Sequence, residues 1–346
     1  MPSKSVDWLP WRSPAELRPD VNDTVPQVSY ALTWRDTFAR WALRWDVGRN
    51  RAAVEPGLYR VGEPGSDSPV FATANYRMTF DLVRRDLGGL DAWLLVLDTN
   101  GINVWCAAGK GTFGTRELVN RAIQSNLSAH VSHKTIIVPQ LGATGVSAHE
   151  ARQAGGFKVI FGPVRSADIG EFVAAGMKTT PEMRAVTFTF VERLALTPVE
   201  LVGAFRGWKA IVPLALLGAG WFLGRGELSA AMQPALAYVA GTVAGGLAVP
   251  AFLPWLPGGA FSLKGAFAGA LAGAAVSLAL GAPPLAFAAG TLLAAAIASF
   301  VGLNFTGATP YTSPSGVEKE LRRALPLQAA AVLLAGVSWV VQFFIN

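Results

Sequence analysis

Beyond Trp208 the chain consists of long Ala, Leu, Gly and Val stretches with almost no charge, whereas up to Glu200 charges are frequent and apolar runs are short. A soluble half therefore precedes a membrane half, in keeping with the two domains that 346 residues suggest. Five segments read as spans, roughly Trp208–Leu223, Ala230–Leu253, Gly265–Leu280, Pro284–Leu303 and Leu325–Ile345. The first and third are short against the roughly 20 residues that cross a bilayer, which makes four the lower count. The expected division is 1–55, a Trp-rich segment with an amphipathic helix; 56–200, an α/β domain; and 201–346, an all-α transmembrane domain of about five helices.

Lys and Arg in the short connections orient such a domain. With the N-terminal side in the cytoplasm, Arg206, Lys209, Lys264, Lys319, Arg322 and Arg323 lie inside and Arg225 alone lies outside. This expects a multi-pass protein of the cytoplasmic (inner) membrane, in contact with membrane lipid. Apart from Lys209 at the first boundary, the spans hold no Asp, Glu, Lys, Arg or His, while Gly and Ala are abundant. Carriers of ions place ionisable groups at mid-membrane, so an anchor or assembly platform is expected rather than an ion pump. The polar connection Asn304–Gly316, NFTGATPYTSPSG, reads either as a turn-rich loop or as a docking surface on the cytoplasmic side.

The first twenty residues include Asp7, Arg12, Glu16 and Arg18 and lack a continuous apolar run, so no export signal is visible and the soluble half is expected in the cytoplasm. The net charge of +6 comes from basic residues that, in the soluble half, are scattered among acids; without a basic patch no nucleic-acid partner is expected. The one cysteine, Cys106, can form neither an intramolecular disulfide nor an iron–sulfur cluster, which usually takes four thiolates. Electrons would have to come from a partner.

Apolar runs at Pro69–Ala74, Ala92–Asp98, Thr135–Pro139, Lys158–Phe161 and Val186–Phe190 read as buried strands. Helical segments at Thr79–Leu87, Thr115–Ser125, Ser147–Ala154 and Ser166–Ala175 alternate with them. The alternation predicts an α/β domain with a largely parallel sheet, whose ligand should sit where the segments after Asp98, Pro139 and Phe161 meet. Upstream, Trp34, Phe38, Trp41 and Trp45 recur at helical spacing with Arg35, Arg40 and Arg44 between them. The favoured expectation is a helix laid on the domain, the alternative a helix on the membrane surface.

The segment Gly101–Thr115, GINVWCAAGKGTFGT, holds the cysteine. It is not a phosphate-binding P-loop, because the residue five before Gly109 is Val104 and the residue after Lys110 is Gly111. Gly109, Gly111 and Gly114 do spell G-x-G-x-x-G, but about ten residues separate them from Asp98, where a dinucleotide site wants a tight turn after its strand. Asn103 can cap a short helix over Val104–Ala108, with Cys106 in its first turn, where the positive helix end favours negative charge. A lone cysteine among Ala and Gly is also a common small core residue. His130 and His133 could supply half a metal site; solvated histidines are the commoner outcome.

NVWCAAGK resembles the signature of the mercury-methylating corrinoid proteins, the HgcA family. Similarity extends through TANYRMTFD (Thr73–Asp81), LVLDTNGINVWCAAGKGTFGT (Leu95–Thr115), VPQLGATGVSAHE (Val138–Glu150), GPVR (Gly162–Arg165) and NFTGATPYTSPSGVEKE (Asn304–Glu320). The resemblance implies a Rossmann-like corrinoid-binding domain related to the corrinoid iron–sulfur protein of acetyl-CoA synthesis, with cobalamin or a related corrinoid (cobalt) as cofactor. It makes Cys106 the catalytic residue and cobalt ligand. Asn103, Val104, Trp105, Ala107, Ala108, Gly109 and Lys110 would form the capping helix against the corrin, with Thr73 near the same face. Gly142 and Gly162, in the loops Gln140–Gly145 and Gly162–Arg165, would be further contacts. No D-x-H-x-x-G is present for a histidine-ligated corrinoid.

The implied reaction is corrinoid-dependent methyl transfer to Hg(II), giving methylmercury. Mercuric ion is an electrophile, and a strongly donating thiolate suits a methyl group that leaves with its electrons or as a radical. Implied partners are a ferredoxin-like iron–sulfur protein as reductant and methyl-folate or its methyltransferase as methyl source, with Asn304–Gly316 and the region of Lys264 as contacts. Two alternatives stay open: a methyl carrier for another acceptor, and a non-catalytic membrane corrinoid carrier.

Overall fold

The computed structural model describes residues 25–345, so the first twenty residues, read above for an export signal, lie outside it. The described residues form two units, 25–43 with Val47–Val186, and Arg44–Asp46 with 187–345.

In the first unit β3 (Val70–Ala74) and β4 (Ala92–Leu97) are buried at every residue. A strand covered on both faces has no polar side, which is why both read as unbroken apolar runs. They pair in parallel, Phe71 opposite Leu94 and Thr73 opposite Val96. β3 pairs in parallel with β5 (Thr135–Val138), and β5 with β6 (Lys158–Phe161). On the other side β2 (Gly57–Val61) runs antiparallel to β4, and the short β1 (Gln27–Val28) lies parallel to β2. The sheet order is β1-β2-β4-β3-β5-β6, an α/β domain with a largely parallel sheet.

Helices α1 (Trp34–Arg44), α2 (Arg77–Asp86), α3 (Val104–Gly109) and α4 (Thr115–Gln124) are joined by helices at Ala148–Gly155 and Ile169–Ala174. One apolar layer packs Ala72, Leu95 and Ile136 with Phe113 and Leu118. The other packs Phe71, Leu94 and Ile137 with Phe80, Ile169 and Phe172. A buried ion-pair network joins α1 to α2: Asp36 binds Arg77 at 2.7 Å and Arg84 at 3.1 Å, and Asp81 holds both arginines at 2.8 and 2.9 Å. Burial alone would raise the Asp36 carboxyl, but hydrogen bonds from Thr33 and the Arg84 charge outweigh it and hold the group below its ordinary range.

The expected fifth strand, Val186–Phe190, does not form. Thr189 instead starts a helix at Phe190–Leu194 through a reciprocal cap with Glu192, and Phe188 stacks on Phe305 with ring centroids 6.1 Å apart. Of that run Phe188 packs against the core of the helical unit, while Val186 and Phe190 are exposed.

That unit has four helices long and apolar enough to cross a membrane: Leu228–Phe252, Phe261–Ala279, Pro284–Ala308 and Ser315–Ile345. The expected first span is a helix of only 12 residues, Val212–Leu223, about 18 Å long against the ~30 Å of a hydrocarbon core. It makes a fifth crossing only if joined to Phe190–Ala204 across an 88° bend. Glycines let two of the helices touch backbone to backbone: a Cβ on Gly265 would come within 2.3 Å of the Ala298 carbonyl, and one on Gly269 within 2.3 Å of that of Ala294.

Two sequence expectations change here. Lys264 lies inside the helix Phe261–Ala279, buried, with Nζ donating to the carbonyls of Leu253 (2.8 Å) and Leu256 (2.6 Å). It satisfies orphan carbonyls where the preceding helix ends and is not a free docking charge. Asn304–Gly316 is partly a packed cap: Phe305, Thr306 and Thr309 are buried, while Tyr311 is exposed.

Candidate functional site

β4 ends at a tight turn whose Asn100 and Gly101 both have positive φ, 56° and 70°. Its anchor is Asn75, at the end of β3, whose Oδ1 accepts from Thr99 N (3.0 Å), Thr99 Oγ1 (2.8 Å) and Gly101 N (3.0 Å). Asn75 Nδ2 donates to Asp98 at 3.2 Å. One buried carboxamide thus fixes where α3 begins, and Asn75 is a positioning residue that the motif reading passed over.

Asn103 caps α3, its Oδ1 accepting the Cys106 N–H at 3.0 Å. A short helix needs such a cap because its first amides have no partner inside it. Val104, Ala107 and Ala108 turn into the core, while Trp105, Cys106, Gly109 and Lys110 are exposed. The small residues have a packing reason: a Cβ on Gly145 would meet the Phe113 carbonyl at 2.1 Å and Ala108 Cα at 3.1 Å. The Cys-Ala-Ala sequence therefore presents one sulfur outward from a helix wedged tightly against the loop before Ser147.

The glycine-rich stretch after α3 is spoken for. The amides of Lys110, Gly111, Thr112 and Phe113 donate to the carbonyls of Cys106, Ala108 and Ala107, closing the C-terminal end of α3. Amides used this way cannot cradle a phosphate, which removes the dinucleotide reading of Gly109, Gly111 and Gly114.

The sheet has its topological switch between β3 and β5: β3 connects to β4 on one side, β5 to β6 on the other. Parallel sheets bind ligands at that point. A cavity of about 490 Å³ lies there, lined by Thr73 and Ile137, by Pro139 and Leu141 after β5, by residues 162–167 and Ile169 after β6, and by Asn103, Val104 and Trp105. One face of α2, through Thr79, Leu82, Val83 and Asp86, completes it. At its edge Arg85 hydrogen-bonds Asp86 at 2.7 Å, and that bond raises the guanidinium above its ordinary value against the smaller effect of burial.

Of the residues expected at the site, Thr73, Asn103, Val104, Trp105 and Gly162 line this cavity. Cys106 is the exposed neighbour of Trp105 and lies outside the lining, as do Ala107, Ala108, Gly109 and Lys110. Gly142 does not reach it: the residue is buried where a Cβ would meet Phe113 at 2.6 Å and Val138 at 3.0 Å. His133 is tied down, Nε2 to the Ser68 carbonyl (2.9 Å) and Nδ1 accepting from Thr135 N (3.2 Å), and His130 packs on Trp93. No cluster of three metal-binding side chains occurs among the described residues.

A corrin is a broad group with an apolar face and polar amide arms, so its site needs wide apolar walls with a few polar groups. The cavity has such walls, and Thr73 Oγ1, fully buried, has no hydrogen-bond partner among the described residues. A buried hydroxyl is costly to leave unpaired. Together with an exposed sulfur on the adjoining turn, these residues fit the group.

Residues 40–173 match the family model of the CO dehydrogenase/acetyl-CoA synthase delta subunit. Among curated proteins, the acetyl-CoA decarbonylase/synthase complex subunit gamma of Methanopyrus kandleri is 35% identical over 150 residues, 40% of this chain and 32% of the relative. The corresponding subunit of Archaeoglobus fulgidus is 36% identical over 123 residues, 35% of this chain and 26% of the relative. Subunit gamma 2 of Methanosarcina thermophila is 37% identical over 123 residues, 34% and 26%. The chain thus spans about a third or less of the length of these relatives. The matched segment 40–173, which carries β2 to β6, the cavity and Cys106, is similar to the CO dehydrogenase/acetyl-CoA synthase delta subunit.

Proposed function

We propose that the α/β unit would hold a corrinoid between its cavity and α3, with the Cys106 thiolate as a ligand to its cobalt, and that the protein transfers a methyl group to Hg(II). The observation that carries this reading is the outward-facing sulfur of Cys106 on a capped, tightly seated helix beside a largely apolar cavity that contains an unpaired threonine hydroxyl. Bound there, a corrinoid supplies methyl-transfer chemistry at cobalt, for which mercuric ion is an electrophilic acceptor.

The residues of the chain have separable tasks. Cys106 supplies a soft, strongly donating sulfur. Asn103 fixes the first turn, and Ala107 and Ala108 anchor the helix so that the sulfur is held by the fold. Trp105 offers an aromatic surface at the cavity wall, and Thr73 Oγ1 offers a hydrogen bond to an amide arm. Gly162 keeps the wall after β6 thin, since a Cβ there would lie 3.0 Å from Ile137.

The four or five apolar helices are read as an anchor in the cytoplasmic membrane, with the α/β unit in the cytoplasm. The reductant is proposed to be a separate ferredoxin-like protein, since one cysteine holds no cluster, and the methyl source a methyl-folate or its methyltransferase.

Single-turnover assays test the reaction. The full chain loaded with methylcobalamin and given HgCl₂ should yield methylmercury, and Cys106→Ala should lower the yield by at least an order of magnitude. Equal yields from the two proteins would refute the proposed role of Cys106.

A further inference from the structure

Helix α1 presents two opposed faces. At 100° per residue, Trp34, Phe38, Trp41 and Trp45 fall within an arc of about 60°, with Trp45 one residue past the helix end. All four are exposed: 75%, 59%, 67% and 49%. Asp36, Ala39 and Leu43 lie on the other side and are buried. The favoured sequence reading is therefore half right, because the helix is laid on the domain by the face opposite its aromatic stripe.

The helix cannot roll over to hide those rings. Asp36 is fixed to Arg77 and Arg84, and it also caps the start of α1 by accepting from Thr33 N at 2.9 Å. Rotation would break a buried charge network. The stripe is thus a fixed outward surface, edged by the exposed Arg35 on one side and by the half-buried Arg40 and Arg44 on the other, Arg44 being already bonded to the Ala195 carbonyl. The only acid of the helix is on the buried face, already paired.

An exposed stripe of Trp and Phe edged by arginine, with the Arg35 guanidinium lying over the Trp34 ring at 5.4 Å, is the arrangement of a helix lying in a membrane interface, rings among the acyl-chain ends and cation toward the headgroups. Trp in particular concentrates at that level. Chain continuity favours the same occupant. Arg44–Asp46 belong to the unit that carries the apolar helices, where Arg44 Nη1 donates to the Ala195 carbonyl at 3.1 Å and Asp46 pairs with Arg206 at 2.5 Å. The last aromatic of the stripe, Trp45, is therefore part of the unit read as membrane-spanning.

We infer that α1 is an interfacial membrane helix, its Trp34, Phe38, Trp41 and Trp45 face seated in the headgroup region of an anionic bilayer. This rests on the reading of the helical unit as spanning the membrane, and the two can fail separately.

The full chain with Cys106→Ala, carrying a nitroxide on Trp41→Cys, Phe38→Cys, Leu333→Cys or Ser132→Cys, would be placed in phosphatidylglycerol/phosphatidylethanolamine vesicles. Collision rates with oxygen and with a water-soluble nickel chelate would then be compared. Leu333 is exposed within Ser315–Ile345 and reports the span; Ser132 is an exposed control on the α/β unit. The expected result is an oxygen-to-nickel ratio at 38 and 41 several-fold above that at 132 and below that at 333. Ratios at 38 and 41 equal to that at 132, with 333 deep, would overturn the inference and leave the spanning reading intact. Protection of 38 and 41 from both reagents would show a protein cover, from residues 1–24, a second copy or a partner, and would also overturn it. A water-exposed label at 333 would remove the membrane reading and this inference with it.

Discussion

The carboxamide oxygen of Asn103 accepts the backbone N–H of Cys106 at 3.0 Å, so the residue that starts the helix is bonded to the one that offers the sulfur. Removing the cap in Asn103→Ala should cost about 1 kcal/mol of stability and fray the first turn. Cobalamin affinity should fall more than the melting temperature does, and Asn103→Asp, which keeps an acceptor, should restore most of it. Paired thermal unfolding and cobalamin titration check this; an unchanged affinity in Asn103→Ala would separate the cap from the cofactor site.

Asn75 acts at longer range. Its Oδ1 serves Thr99 N, Thr99 Oγ1 and Gly101 N, all on the turn that leads to α3. Asn75→Leu leaves buried donors without a partner, each costing about 1–3 kcal/mol. The expected outcome is a destabilised α/β unit with faster amide exchange at Thr99 and Gly101. Exchange confined to α2 would point to a different function for this side chain.

The Asp36 network sets an acid limit on the same unit. A carboxyl held below its ordinary range contributes stability that is complete above about pH 4, the pKa of an unperturbed aspartate, and is lost as pH falls through the lowered folded value. Acid unfolding should therefore steepen below about pH 4 in the wild type and be shallower in Asp36→Ala. That variant should also be less stable at pH 7 by about 3–5 kcal/mol, since it leaves Asp81 as the one carboxylate facing two buried guanidinium groups. Denaturant melts from pH 3 to 7 read both effects.

Arg225 decides the number of crossings. With the five spans read from the sequence it stands alone on the outer side, against Arg206, Lys209, Lys264, Lys319, Arg322 and Arg323 inside. With four, it shares a side with Arg206 and Lys209, and the charge bias disappears. We expect Arg225→Cys, in a Cys106→Ala background, to be labelled by a membrane-impermeant maleimide from outside intact cells. Labelling only after permeabilisation would leave Phe190–Ala204 and Val212–Leu223 as a bent, non-crossing pair.

The legible parts of this fold are those where burial dictates composition. β3, β4 and β5 could be placed to within a residue or so because interior parallel strands carry no polar face, whereas β6, a half-buried edge strand, was placed by its short apolar run alone. β1 and β2 could not, since the first has two residues and the second, GLYRV, carries Arg60 midway and pairs antiparallel. Val186–Phe190 has a strand's composition, but the partner of Phe188 is Phe305, more than a hundred residues away. At the site, the Asn103 cap is a local i,i+3 signal and was readable. The bonds from Asn75 to Thr99 cross 24 residues and were not. Gly142 carries a motif's look for a packing reason, the ring of Phe113. The aromatic stripe on α1 showed its period in the sequence, but only the buried ion pairs of Asp36 reveal which way it faces.

The most direct measurement is an anaerobic optical and EPR comparison of wild type and Cys106→Ala, each reconstituted with cobalamin. The wild type should show a base-off spectrum with a sulfur-to-cobalt charge-transfer band, and the variant should lack that band while keeping the corrinoid, held by the Thr73 to Gly162 cavity. Identical spectra, or no corrinoid bound by the wild type, would contradict thiolate ligation and return Cys106 to an exposed residue without a role.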